Sequence, residues 1–213
     1  MPAFKRTMRE ILARGGVMPI LTVADASVAG DLARALVRGG VMAFEVVLRT
    51  PAALDAVKAM IEAAPEASVG VGTILNAHDV ARARAAGAAF GVSPGITPEL
   101  AAAVREAGFP FIPGVSSVSE AMYARQCGFG ELKLFPANVI GGVAWLQAIA
   151  PVFPDLAFCP TGGIRPPDIP AYLALPNCMT VGGSWIVPKD ALAARDWPAI
   201  EGLARQAAAF GRS

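Results

Sequence analysis

The feature that most constrains this chain is a unit that repeats along its length. A short apolar run, often β-branched, ends in Gly, Thr, Ser or Pro, and an alanine-rich segment with helical spacing follows. The apolar runs are MPILTV (18–23), AFEVVL (43–48), SVGVG (68–72), AFGVS (89–93), FPFIP (109–113), ELKLF (131–135), LAFCP (156–160) and CMTVGG (178–183). Their starts recur roughly every 20–25 residues, the rhythm of βα units. Asp25, Asn76 and Thr97 stand where helix N-caps belong, and Pro51 and Pro98 suit first helical turns. Gly39-Gly40, Ala86-Gly87 and Ala107-Gly108 are placed to close helices.

Eight such units in 213 residues predict an α/β fold of the (β/α)8 TIM-barrel class. It would form a single domain over 1–213, with an extra N-terminal helix over 1–16. Continuous apolar runs fit strands buried on both faces. The alternative is an open doubly wound sheet, but no GxGxxG follows the first strand, and eight units are many for an open sheet of this length.

Bulk properties narrow the function. Apolar residues make up 54% and charged residues 16%, which gives a dense core and excludes a disordered chain. The net charge is +1 with no basic tract, so no nucleic-acid partner is expected. Residues 134–154 and 169–188 are uncharged, but Pro and Gly break both, so no membrane segment is expected. Cys127, Cys159 and Cys178 are odd in number, widely spaced and without a CxxC, which fits free thiols in a reducing compartment. The start, MPAFKRTMREILARGG, has no secretory apolar stretch before Gly15-Gly16. Its basic, amphipathic look also fits a transit peptide, though a first helix is the simpler reading.

In a barrel, chemistry sits at the C-terminal ends of the strands. The polar residues inside strands or at those ends are Glu45, Arg49, Thr73, Ser93, Lys133, Thr161 and Ser184. Lys5 falls in the first helix, Lys58 in a polar helical stretch and Lys189 in a loop after Pro188, so only Lys133 interrupts an apolar strand. Alternation puts Glu131, Lys133 and Phe135 on one face and Leu132 and Leu134 on the other, pointing Lys133 into the barrel. A free lysine titrates near 10.4, leaving roughly one in 2,500 as the amine at pH 7, and burial favours the amine. A neutral amine condenses with a ketone to an imine, an electron sink for the neighbouring carbon. A buried ion pair with a carboxylate accounts for the same lysine, and both readings stand.

Glu45 also interrupts an apolar strand, and it shares a face with Arg49. A carboxylate inside and a guanidinium nearer the rim make a proton shuttle and an anchor for a substrate carboxylate. The plainer alternatives are an ion-pair partner for Lys133 and a rim salt bridge for Arg49. CPTGGIRPPDI continues the seventh run and VGGSWIVP the eighth. Glycine pairs let backbone N–H groups approach an anion, and these two loops are where many barrels bind phosphate. Gly162, Gly163, Gly183 and Ser184 are the candidates. The set implies a substrate with a ketone, a carboxylate and a distal phosphate.

The chain resembles the class I aldolases of 2-keto-3-deoxy-6-phosphogluconate (KDPG) and 4-hydroxy-2-oxoglutarate. The resemblance runs nearly end to end and is carried by GGVMAFEVVLRT, VGVGTILN, SPGIT, IPGVSSVSE, GFGELKLFPAN, FCPTGGI and VGGSWIVP. It implies a Schiff-base lysine at Lys133 and a general acid/base at Glu45. It implies that Arg49 and Thr73 bind the pyruvyl carboxylate, that Gly162, Gly163 and Ser184 hold the phosphate, and that Pro94, Phe135 and Thr161 line the pocket. It further implies a cytoplasmic homotrimer that needs no metal or other cofactor. The reaction would be reversible cleavage of KDPG to pyruvate and glyceraldehyde 3-phosphate, in the Entner–Doudoroff route. The chain departs from the family's E-x-T-L-R pattern in having Val47, and it has Asn138 where close relatives carry an acidic residue.

Other readings remain. A metal-dependent aldolase needs a ligand cluster, and the one histidine, His78, sits at a helix start. A ketose-phosphate isomerase explains the glycine loops but gives Lys133 and Glu45 no imine role. A catalytically silent metabolite-binding barrel has no use for the Lys133 and Glu45 pair, and Val47 is the only hint in its favour. Within the family, the 6-phosphogalactonate analogue and 4-hydroxy-2-oxoglutarate are alternative substrates.

Overall fold

Each apolar run contains strand, and each alanine-rich segment supplies the helix behind it. The computed structural model describes residues 6–211. The strands are β1 (Val17–Leu21), β2 (Ala43–Val47), β3 (Ser68–Gly72), β4 (Phe90–Val92), β5 (Phe111–Ile112), β6 (Gly114–Val115), β7 (Glu131–Leu134), β8 (Ala157–Pro160) and β9 (Val181–Gly183). The helices are α1 (Met8–Leu12), α2 (Ala29–Arg38), α3 (Ala53–Ala63), α4 (Ala77–Ala85), α5 (Pro98–Ala107), α6 (Val118–Gln126), α7 (Gly142–Ile149), α8 (Ile169–Leu173), α9 (Lys189–Ala193) and α10 (Trp197–Ala209). Of the fifth run only Phe111–Ile112 forms strand, and Pro113, which has no N–H for the ladder, separates β5 from β6 just beyond the run. Its carbonyl still accepts the Lys133 N–H at 2.9 Å.

Every strand pair is parallel. One sheet has the order β5-β4-β3-β2-β1-β9 and the other β6-β7-β8. Isolated parallel bridges join Phe158 to Cys178 and Thr161 to Gly182. The fold is therefore a parallel α/β arrangement of the kind the repeat predicts.

Strand alternation separates two apolar layers. Outward residues such as Phe44, Val46, Val69, Leu132, Leu134 and Phe158 pack with the helices, for example against Leu32, Leu36 and Leu146. Inward residues Met18, Ala43, Phe90, Val92, Ile112 and Cys159 form a second cluster with Met8, Ile11 and Leu12 of α1. Each large buried side chain contributes roughly 1.5–3 kcal/mol. The short α1 thus covers the N-terminal ends of the strands. A Thr7–Glu10 capping box starts it, and Arg9 pairs with Glu131 at the start of β7. Arg14 follows, donating to the Met42 carbonyl and the Ser68 hydroxyl. The open end left for chemistry is the C-terminal one.

Local signals hold with small corrections. Asn76 and Thr97 cap α4 and α5, Pro98 is in the first turn of α5, and Gly108 closes it at φ +57°. Asp25 caps a short 3-10 turn, Ala26–Val28, that leads into α2. Pro51 lies before the cap of α3 rather than inside its first turn. Lys189 opens α9 instead of lying in a loop. Of the helix expected over 1–16, α1 is the part observed. Lys5 and the rest of 1–5, like 212–213, lie outside the described residues. Among the described residues no helix is long and apolar enough to cross a membrane.

Candidate active site

Glu45 sits at the middle of β2, opposite Ile20 of β1 and Gly70 of β3. Lys133 sits on β7, opposite Gly114 of β6 and Cys159 of β8. Their neighbours along each strand, Phe44, Val46, Leu132 and Leu134, face the helices and are wholly buried. The pleat therefore sends both charged side chains the other way. They meet: Lys133 Nζ donates to Glu45 Oε1 at 3.3 Å. Lys133 is 6% exposed and Glu45 0%.

The pair is incompletely satisfied. Glu45 Oε2 is buried and has no hydrogen-bond partner among the described residues. An unpaired buried acceptor is costly to stability, and it leaves an oxygen able to take a proton. The Phe135 ring lies 5.4 Å from Lys133 Nζ and gives the ammonium an aromatic neighbour.

Cys159 was read from sequence only as a free thiol. It stands beside this pair, fully buried, with Sγ 3.9 Å from Thr161 Oγ1. Burial pushes its thiol up to about 12, Lys133 opposes the shift and Glu45 adds to it. It is a neutral wall at physiological pH, not a nucleophile. Nothing in the spacing of the cysteines marked it out, although its inward alternation on the seventh run could have.

The glycine loops come together at the same end. Thr161 bridges Gly182, which brings the loop that begins at Gly162 beside the end of β9. Gly162 and Gly163 have φ of +106° and +75°, the left-handed region that favours glycine. The segment after β7 is tied to this loop. The Ala137 N–H donates to the Thr161 carbonyl at 2.8 Å, the Asn138 N–H to the Gly162 carbonyl at 3.2 Å, and Asn138 Nδ2 to the Gly163 carbonyl. Phe135 packs against Gly162. Lys133 and the glycine loops are thus linked through residues 135–138.

The remaining candidates occupy the rim. Arg49 is exposed just beyond β2 and forms no ion pair among the described residues. Thr73 follows β3, half-buried, at φ +60°. Ser93 Oγ donates to the Gly95 carbonyl at 2.6 Å and accepts the Gly114 N–H, holding the Pro94 turn over Gly114 and hence next to β7. Ser184 is exposed and Gly183 is buried in β9. The structure thus brings Lys133, Glu45, Phe135 and Thr161 into one interior and sets Arg49, Thr73 and Ser184 at strand ends. His78 is exposed on α4, and among the described residues no three His, Cys, Asp or Glu gather as a metal set.

Known proteins are similar to this chain over nearly its whole length. The family described as KDPG and KHG aldolase matches residues 8–203. A protein of Pseudoalteromonas atlantica named 2-dehydro-3-deoxy-phosphogluconate aldolase is 46% identical, over 97% of this chain and 96% of its own. A protein of Escherichia coli named KHG/KDPG aldolase is 47% identical, over 97% of each. The solved KDPG aldolase of Legionella pneumophila, with pyruvate captured as a covalent carbinolamine, superposes with a TM-score of 0.93 at 41% identity, over 96% of this chain and 99% of its own.

Proposed function

The chain belongs to the KDPG and KHG aldolase family, and from that premise we propose how its residues carry out the reaction. It is a class I aldolase, a carbon–carbon lyase that reversibly cleaves 2-dehydro-3-deoxy-6-phosphogluconate to pyruvate and glyceraldehyde 3-phosphate. The observation that carries the assignment of residues is the Lys133–Glu45 contact of 3.3 Å in an otherwise apolar interior.

Lys133, as the amine, attacks the C2 ketone, and loss of water leaves a protonated imine. Glu45 removes the C4 hydroxyl proton as the C3–C4 bond breaks, directly or through water. The bonding electrons flow into the imine, glyceraldehyde 3-phosphate leaves, and the enamine is protonated at C3. Hydrolysis then frees pyruvate and Lys133. Arg49 and Thr73 hold the pyruvyl carboxylate. The backbone N–H groups of Gly162, Gly163 and Gly183 and the Ser184 hydroxyl hold the phosphate, while Pro94, Phe135 and Thr161 line the pocket. No metal or cofactor enters this scheme. Because the Escherichia coli relative is named for both substrates, 4-hydroxy-2-oxoglutarate is proposed as a second substrate.

We also infer the finer architecture. The two sheets are read as one closed (β/α)8 barrel and a single domain. The Phe158–Cys178 and Thr161–Gly182 bridges support the seam between β8 and β9, and the continuity of β5 and β6 through Pro113 supports the other. A homotrimer is proposed on the family resemblance, and exposed Leu75, Val118, Met122, Val139 and Val152 are available for its contacts. A cytoplasmic location fits the three free cysteines.

The deciding experiment is borohydride reduction in the presence of pyruvate, followed by peptide mass spectrometry. A pyruvyl adduct on Lys133 is expected. Folded protein that leaves Lys133 unmodified across a range of pH would make it a structural ion-pair lysine and overturn the mechanism.

A further inference from the structure

Gly72 ends β3 directly opposite Val47 of β2. It is not among the glycines with left-handed backbone, so its strand conformation suits any residue. What its lack of a side chain provides is space. An ideal Cβ at Gly72 would lie 1.9 Å from Glu45 Oε1, 2.5 Å from Cδ and 2.6 Å from Cγ, where ordinary contact begins at 3.4 Å. Glu45 itself is opposite Gly70, two residues earlier. Its side chain therefore leans along the barrel axis and lays its carboxylate over the Gly72 Cα. From that seat Oε1 accepts the Lys133 hydrogen bond. The seat cannot retreat: the Leu48 N–H donates to the Gly72 carbonyl at 2.9 Å, and Val47, 1% exposed, closes the same stretch of β2.

We propose that Gly72 is a positioning residue for the reaction, a missing side chain in β3 that fixes the Glu45 carboxylate within reach of Lys133. The proposal rests on the aldolase reading above. The inward glycine before it differs in kind. A Cβ at Gly70 would meet the Phe90 ring at 2.3 Å, which makes Gly70 a packing residue and a control. The sequence signal was the SVGVG run, with glycine at alternate, inward positions beside a strand that carries the carboxylate.

The test compares the full chain with Gly72→Ala, Glu45→Ala, the double variant and Gly70→Ala. Three readouts are taken: imine trapped by borohydride with pyruvate, deuterium exchange into the pyruvate methyl group by NMR, and the urea unfolding midpoint. Gly72→Ala is expected to trap imine at Lys133 yet lose methyl exchange by roughly 100-fold, the scale of one general acid/base. Once Glu45 is alanine, adding Gly72→Ala should change the residual exchange less than about twofold and no longer lower the midpoint, because the clashing atoms are gone. Gly70→Ala should destabilise equally with Glu45 present or absent. Equal losses from Gly72→Ala in both Glu45 backgrounds would overturn the proposal, as would wild-type exchange in folded Gly72→Ala. If Gly72→Ala alone fails to fold, folding of the double variant supports the seat and its failure overturns it. Absence of trapped imine in the unsubstituted protein would remove the aldolase reading instead, and the midpoints would still judge the seat.

Discussion

Lys133 Nζ stands 3.3 Å from Glu45 Oε1, and the other oxygen of the same carboxylate has no partner among the described residues. A buried pair satisfied on one side only is a poor source of stability, because desolvation of both charges offsets their attraction. On the proposed mechanism its presence is explained by chemistry rather than by folding. Lys133→Met should therefore abolish turnover and also destabilise the protein by about 3–5 kcal/mol, since it strands the carboxylate. Lys133→Met/Glu45→Leu should recover most of that stability while remaining inactive. Urea unfolding of the three proteins checks this. A double variant no more stable than the single would show that the pair itself holds the fold.

Arg49 is exposed at the end of β2 and forms no ion pair among the described residues, so its guanidinium is available to a substrate. A guanidinium grips a carboxylate by two parallel hydrogen bonds, and lysine offers only a point charge. Arg49→Lys should raise KM for pyruvate in the methyl-exchange reaction roughly tenfold, the equivalent of about 1.4 kcal/mol, with little change in kcat. Initial rates over a range of pyruvate concentrations separate the two parameters. A fall in kcat at constant KM would place Arg49 in the chemical step instead.

The strands and the charged pair were legible because each is written by alternation. Lys133 and Glu45 break apolar runs, and the pleat converts that break into an inward direction. Pro113 shows the limit: FPFIP reads as one strand, but only Phe111–Ile112 is one, and past Pro113, which has no N–H, a second short strand follows at Gly114–Val115. Gly72 and Cys159 were not foreseen because their roles depend on which side chain the adjacent strand sets beside them. A one-dimensional pattern states which face a residue takes, but not which residue of the neighbouring strand it meets.

Glu120 caps α6 and shows how a helix start depends on pH. Burial works against its charge, but hydrogen bonds from Ser116 and Ser117 outweigh this and hold its carboxyl below the usual glutamate value of 4.5. Its stabilising effect is therefore complete above that value and lost as pH falls through the lower, folded one. Glu120→Gln keeps an acceptor for these donors but loses the charge at the helix N-terminus, which should cost roughly 0.3–1 kcal/mol at pH 7. The gap from the unsubstituted protein should close on acidification below pH ~4. Urea midpoints from pH 7 to 3 test it. A gap constant across that range would show that the carboxylate charge contributes nothing.

Gly163 offers a way to separate phosphate binding from imine chemistry. Its φ is +75°, and a Cβ there would lie 2.8 Å from Asn138 Nδ2. Gly163→Ala carries a left-handed backbone penalty of roughly 1–2 kcal/mol and pushes on Asn138 in the segment after β7. It should lower kcat/KM for the phosphorylated substrate about tenfold or more while leaving methyl exchange of pyruvate, which has no phosphate, within about twofold. Parallel assays on the two substrates decide. Equal losses on both would mean the loop supports the whole site rather than the phosphate end.

Burial of the Cys159 thiol predicts that its ionisation weakens the fold at alkaline pH. The thiol is buried beside Lys133 and Glu45, and burial raises it from the ordinary 9.0 to about 12. The native state thus holds this proton more tightly than the unfolded chain does. The resulting stability is whole below pH ~9 and is lost as pH rises toward ~12, amounting to roughly 4 kcal/mol over the full span. Cys159→Ala removes the titrating group at the expense of a small cavity, so it should be less stable at pH 8 yet lose stability less steeply above pH ~9. Other alkaline groups, such as the buried Tyr172, are common to both proteins and cancel in the comparison. Urea unfolding at successive pH values from 8 to 11 gives the two slopes. Parallel slopes would show that the thiol is not the group that limits the fold, whereas curves that converge as pH rises would identify Cys159 as the proton the native interior holds.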